Sequence, residues 1–155
     1  MQLTRRAALG LVCSALILSA CGIKTETHAP PKTPHTGDTP EMRALIKKWA
    51  KIHDIPESLL HRMIQRESGY NAGARNGPYY GLLQILPQTA QQMGYRGDPD
   101  GLLDAETNLH YAGRYLRGAW IVSNGNQDRA EMWYSKGYYY EAKRRGLLYK
   151  TGLRS

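Results

Sequence analysis

Glu67 stands where a carboxyl group could act as an acid. The run from Pro56 to Ser68 has helical periodicity, with Leu59, Leu60, Met63 and Ile64 on one apolar face. Glu67 lies three residues after Ile64, four after Met63 and seven after Leu60, so it continues that face. It also falls in the last turn before Gly69, where the helix dipole disfavours negative charge. Apolar surroundings and an unfavourable dipole both favour the protonated carboxyl, the form a general acid needs near neutral pH. The helix alone leaves a second reading open, in which the stripe frays before Glu67 and the side chain faces solvent.

Other constellations are weaker. His53, His61 and His110 have no metal-ligand spacing, and they form neither a His-Glu-x-x-His pair nor part of a serine triad. Asp98, Asp100, Gly101 and Asp104 miss the calcium-loop spacing and read as a polar loop ending in an Asp104 helix cap. Phosphate-binding glycine loops are missing from the domain. No metal and no cofactor is therefore expected.

The elements that must position Glu67 are helical throughout. Thr39-Pro40-Glu41 opens a first helix, with Met42, Leu45, Ile46 and Trp49 on its apolar side. Pro56 opens the helix of Glu67, and residues 69 to 81, rich in Gly, Asn and Tyr, form a long loop. A short turn from Gly81 to Leu86 precedes a helix opened by Pro87 and closed by Gly94. A longer helix spans about Asp104 to Val122, with Leu109, Ala112, Leu116 and Ala119 on one side. Another runs from about Asp128 to Lys136, and a basic terminal helix follows. Trp49, Trp120 and Trp133 sit on helical stripes as core residues. The expectation is an all-α domain of about five to six helices, without strands.

Composition bounds the whole. The 155 residues are 41% hydrophobic and 22% charged, which is globular and excludes wholesale disorder. Aromatic character is carried by 11 Tyr and no Phe. The net charge of +8 points to an anionic partner without naming it. Two cysteines cannot build a four-ligand zinc site.

Residues 1 to 20 read as an export signal. Arg5 and Arg6 are followed by an acid-free apolar stretch from Ala7 to Ala20, shorter than the roughly 20 apolar residues a membrane span needs. Leu18-Ser19-Ala20-Cys21 resembles the lipobox of bacterial lipoproteins, which implies a lipidated Cys21. Gly22 after it implies sorting to the outer membrane, facing the periplasm. Residues 21 to 38, with Pro30, Pro31 and Pro34, then form a polar tether, and residues 39 to 155 the folded domain. Export argues against a nucleic-acid partner. Removing the signal takes away two positive charges and no acid, leaving +6. The last twenty residues carry six basic side chains against Glu141 alone, a basic face suited to an anionic wall or membrane.

Three ordered motifs carry a family resemblance. Glu67-Ser68-Gly69-Tyr70-Asn71, then Gly81-Leu82-Leu83-Gln84-Ile85, then Trp133-Tyr134-Ser135 resemble the lytic transglycosylases with the soluble-lytic-transglycosylase (SLT) domain. Asn108, Leu109, Gly113, Tyr115 and Leu116 match that family's long helix, and the likeness covers roughly residues 41 to 137.

The resemblance implies a goose-type-lysozyme-like fold and peptidoglycan glycan strands as substrate. It makes Glu67 the single catalytic carboxyl and Gln84 and Tyr134 substrate-binding residues, with Tyr134 close to the acid. Ser68, Leu83 and Tyr80 complete the expected binding set, Tyr79 and Tyr80 as candidates for stacking on sugar rings. Leu83 replaces the family's Met at similar volume. The loop from Arg75 to Tyr80 departs from the family pattern, and Ser135 stands where Asn is usual.

Glycoside cleavage commonly uses two carboxylates, and none is expected beside Glu67 from the Gly81 or Tyr134 segments. The family route needs one. Glu67 protonates the bond between N-acetylmuramic acid and N-acetylglucosamine, then deprotonates the muramoyl 6-hydroxyl to give a 1,6-anhydro product. A hydrolytic muramidase on the same fold, or a non-catalytic peptidoglycan-binding lipoprotein, are the alternatives.

Overall fold

The computed structural model describes residues 37–154. The signal, Cys21 and the tether up to residue 36 lie outside the described residues. Six α-helices follow in order: α1 (Pro40–His53), α2 (Glu57–Ser68), α3 (Pro87–Gln92), α4 (Ala105–Val122), α5 (Gln127–Lys136) and α6 (Tyr139–Arg144). A 3-10 turn at Pro99–Leu103 leads into α4.

The helix starts follow local chemistry. Thr39 accepts the Met42 N–H at 3.2 Å and Asp104 accepts the Thr107 N–H at 2.8 Å, each satisfying a donor that the first helical turn leaves open. Asn126 caps α5 in the same way, accepting from the Arg129 N–H at 2.9 Å. Gly69 closes α2 in the left-handed conformation, at φ 57°.

One expectation fails in the 69–81 loop, where no strand was foreseen. Arg75–Asn76 (β1) and Tyr79–Tyr80 (β2) pair as an antiparallel hairpin, Arg75 opposite Tyr80 and Asn76 opposite Tyr79. Gly77, at φ 58°, takes the left-handed turn position such short hairpins require. Strands of two residues are too short to write a period-two pattern into the sequence.

The core forms around α4. Leu109, Ala112, Leu116 and Ala119 are all fully buried, and α4 packs against both α1 and α5. Small residues set the approach: a Cβ at Gly113 would lie 2.6 Å from the His53 ring of α1. His53 fills that space and keeps its polarity satisfied by pairing Nε2 with the Leu109 carbonyl at 2.9 Å. From α2, Leu59, Leu60, Met63 and Ile64 are completely buried, each contributing about 1.5–3 kcal/mol relative to an exposed side chain. Trp49 is buried, whereas Trp120 and Trp133 are half-buried at the edge of the core. The terminal helix is only six residues long and its basic side chains stay largely exposed.

Candidate active site

The α2 stripe carries its last residue to the edge of the core. Glu67 is half-buried, its side chain 21% exposed, and it faces a cleft of about 460 Å³ shared with Arg66, Asn76, Tyr79, Gln84, Tyr134 and Ser135. Burial pushes its pKa above the usual carboxyl range; the Arg66 guanidinium pulls it back and the Glu131 carboxylate raises it further. The stripe therefore neither frays nor fully encloses Glu67.

The opposite wall is the turn from Gly81 to Ile85, fixed from both ends. Tyr80 and Ile85 exchange N–H···O bonds at 3.1 Å, and the Gly81 N–H reaches the Ala74 carbonyl at 2.8 Å. Asn108 of α4 holds the turn from beneath. Its Oδ1 accepts from the Leu83 N–H at 3.0 Å, and its Nδ2 donates to the Tyr80 and Leu102 carbonyls at 2.9 Å each. Gln84 sits at φ 47°, and its Nε2 donates to the Ala74 and Gly81 carbonyls at 3.1 and 2.8 Å. Those two bonds orient the amide, leaving the buried Gln84 Oε1 without a partner among the described residues.

Tyr134 of α5 closes the third side. Its hydroxyl donates to the Leu83 carbonyl at 2.8 Å, and its ring meets Tyr115 edge-on at 5.3 Å. Burial and the nearby Glu67 push its pKa well above the ordinary phenol value, so the hydroxyl stays neutral. With its proton committed to Leu83, its lone pairs are the part left to face the cleft. Tyr134→Phe should lower kcat/KM roughly 10-fold or more, because the buried Leu83 carbonyl loses its donor and the turn loosens. Steady-state turnover of glycan strands checks this; unchanged turnover would remove Tyr134 from the site.

Glu67, Gln84 and Tyr134 are thus brought together, while the other expected binding residues are not on the cleft wall. Ser68 donates to the Ile64 carbonyl at 3.2 Å and to the Leu82 carbonyl at 2.9 Å, pinning the end of α2 to the Gly81 turn. Leu83 is fully buried. Tyr80 is only 6% exposed, with the Arg75 guanidinium 4.6 Å over its ring, whereas Tyr79, at 44%, is the tyrosine that lines the cleft. Alternation along β2 explains the swap: neighbouring side chains on a strand point to opposite faces. Ser135 lines the cleft with its Oγ donating to the Glu131 carbonyl at 3.1 Å.

A second acid does approach Glu67, contrary to the sequence expectation. Glu131 lies one helical turn before Tyr134 on α5 and is near enough to raise the Glu67 pKa. The three-residue spacing, which puts the two side chains on one helix face, was the available signal. Glu131 is ion-paired to Arg66 and, at 2.6 Å, to Arg62, which also pairs with Asp128 at 2.6 Å. Among the described residues, no group of three or more His, Cys, Asp or Glu side chains could hold a metal ion.

No solved structure matches the chain. The family model described as "Transglycosylase SLT domain" matches residues 44–146, from α1 through the end of α6 and across every wall of the cleft. That match spans most of the chain, and the six-helix architecture agrees with the SLT lysozyme-like fold. The chain belongs to the transglycosylase SLT domain family.

Proposed function

We propose that this protein is a peptidoglycan lytic transglycosylase that cleaves the β-1,4 bond between N-acetylmuramic acid and N-acetylglucosamine. The observation that carries this reading is a half-buried carboxyl, Glu67, on a cleft where the acid that approaches it among the described residues, Glu131, is tied up in ion pairs. Protonated Glu67 donates to the glycosidic oxygen as the C1–O bond breaks, and the N-acetylglucosamine leaves as an alcohol. The oxocarbenium charge at C1 is shared with the muramoyl acetamido group. Ionised Glu67 then takes the proton of the muramoyl 6-hydroxyl as that oxygen bonds to C1. One proton goes out and one returns, so the acid is regenerated and no water is consumed.

A hydrolytic reading needs a free base to activate water on the far face of the sugar. Glu131 is the carboxylate placed nearest, and its pairing with Arg62 and Arg66 argues against that duty. Digested sacculi analysed by muropeptide mass spectrometry should carry 1,6-anhydro-muramoyl ends. Reducing muramoyl ends instead would establish hydrolysis, and binding without cleavage would leave a non-catalytic wall-binding protein.

The same reading places the enzyme on a lipid anchor at Cys21, exported and held at the outer membrane facing the periplasm. The lipobox-like Leu18-Ser19-Ala20-Cys21 and the following Gly22 support this. None of the helices among the described residues is long and apolar enough to cross a membrane, so in this reading attachment falls to the lipid. The tether would let the basic face of α6 and the residues after it rest against an anionic surface.

A further inference from the structure

Arg66 immediately precedes the catalytic acid and poses a problem for it. Its Nε lies 3.8 Å from the Glu67 Oε1, close enough for attraction and too far for a hydrogen bond. A guanidinium that moved closer would form a charge-assisted pair with the carboxylate and hold Glu67 ionised. Glu131 engages the other end of that guanidinium, accepting from the Arg66 Nη1 with one oxygen while its second oxygen meets the Arg62 Nη2 at 2.6 Å. Arg62 is anchored in turn by Asp128 at 2.6 Å, so a two-acid, two-arginine ladder spans α2 and α5 beside the cleft.

We propose that Glu131 is a positioning residue for Glu67: by drawing the Arg66 guanidinium toward α5, it keeps that cation from closing an ion pair on the catalytic acid. The proposal rests on Glu67 being the acid, but its central measurement does not depend on turnover. The charged and titratable groups facing Glu67 are Arg66 from α2, Glu131 and Tyr134 from α5, and Tyr79 from the hairpin. The Gly81 turn contributes only the neutral amide of Gln84. Tyr134 is neutral, and so, on top of the rise that burial imposes, the charges acting on Glu67 are Arg66, which lowers its pKa, and Glu131, which raises it.

The test is a set of four proteins: wild type, Glu131→Gln, Arg66→Ala and the double variant. Carbon NMR of the Glu67 side chain gives its titration midpoint in each. Glu131→Gln should lower the midpoint by on the order of one pH unit, since a released guanidinium and a lost negative charge act in the same direction. Arg66→Ala, a change at a half-exposed side chain, should raise it. In the Arg66→Ala background, Glu131→Gln should move the midpoint by less than half as much, because no guanidinium remains to be released.

Equal shifts in the two backgrounds would reduce Glu131 to a distant charge and overturn the positioning role. So would an unmoved midpoint in Glu131→Gln, or in Arg66→Ala should the first variant fail to fold. The alkaline limb of kcat against pH should follow the same order of midpoints, whereas a merely structural role would lower kcat at every pH without moving the limb. Midpoints that move as expected in a protein without turnover would sink the functional reading and leave the positioning role standing.

Discussion

Glu67→Gln should cut turnover of glycan strands roughly 10³-fold or more, because in the proposed reaction one side chain supplies both the acid and the base step. The substitution keeps size and loses only the transferable proton, so substrate binding to the cleft should persist. The same variant should be more thermostable than the wild type near neutral pH. The sign follows from burial. The folded-state pKa of Glu67 is raised, first by desolvation and further by Glu131. A carboxyl with a raised folded pKa favours the fold while protonated, fully so below its unfolded pKa, and that contribution is lost as pH rises through the folded pKa. At about pH 8 the wild type carries a half-buried charge that Gln lacks, whereas at about pH 4 both side chains are neutral. Thermal melts should show the variant ahead by a few degrees at the higher pH and level at the lower. Turnover within about tenfold of wild type would remove Glu67 from the chemistry. Equal melting differences at both pH values would instead mean that its carboxyl is not perturbed.

How far the site was legible depended on the range of the interactions that build it. Helical periodicity put Glu67 on the face that buries Leu60, Met63 and Ile64 but left open whether its side chain turned to solvent, which only the packing at the core edge decides. Caps at Thr39 and Asp104 were legible because a cap is a local bond between residues three apart. Which of two adjacent tyrosines faces the cleft was not legible, because that depends on the register of a two-residue strand. Tyr80 turns inward under Arg75, and Tyr79 outward. The Arg62–Glu131–Arg66 ladder was also hidden, since its partners come from different helices and ion-pair geometry leaves no period in the sequence. Three of the residues expected to touch substrate, Ser68, Leu83 and Tyr80, are not among those lining the cleft. Ser68 and Leu83 give their polar atoms to the turn, and the motif they belong to is as much a brace as a binding surface.

Asn108 is the hub of that brace, and its replacement should have the largest effect on stability of any single polar substitution in the domain. The side chain is fully buried and makes three hydrogen bonds, to the Leu83 N–H and to the Tyr80 and Leu102 carbonyls. Leu82, Leu83 and Leu102 are fully buried too, so water cannot replace the lost partners without opening the core. Each orphaned group costs about 1–3 kcal/mol. Partial relaxation should hold the total for Asn108→Ala to about 3–5 kcal/mol, a large share of the roughly 5–15 kcal/mol that stabilises a domain. Asn108→Leu separates the causes, since it restores volume without restoring a donor or acceptor. Gly81 makes the site unforgiving, because a Cβ there would lie 2.3 Å from both the Asn108 Nδ2 and the Leu102 carbonyl oxygen. The bare glycine leaves room for the Asn108 amide to reach both the Tyr80–Leu83 turn and the Leu102 carbonyl. Urea unfolding should show a lower midpoint with unchanged slope for both variants, and kcat/KM at low temperature should fall as Gln84 and the Leu83 carbonyl lose their fixed positions. If Asn108→Leu were to match the wild type within about 1 kcal/mol, burial rather than hydrogen bonding would be what holds the wall of the cleft.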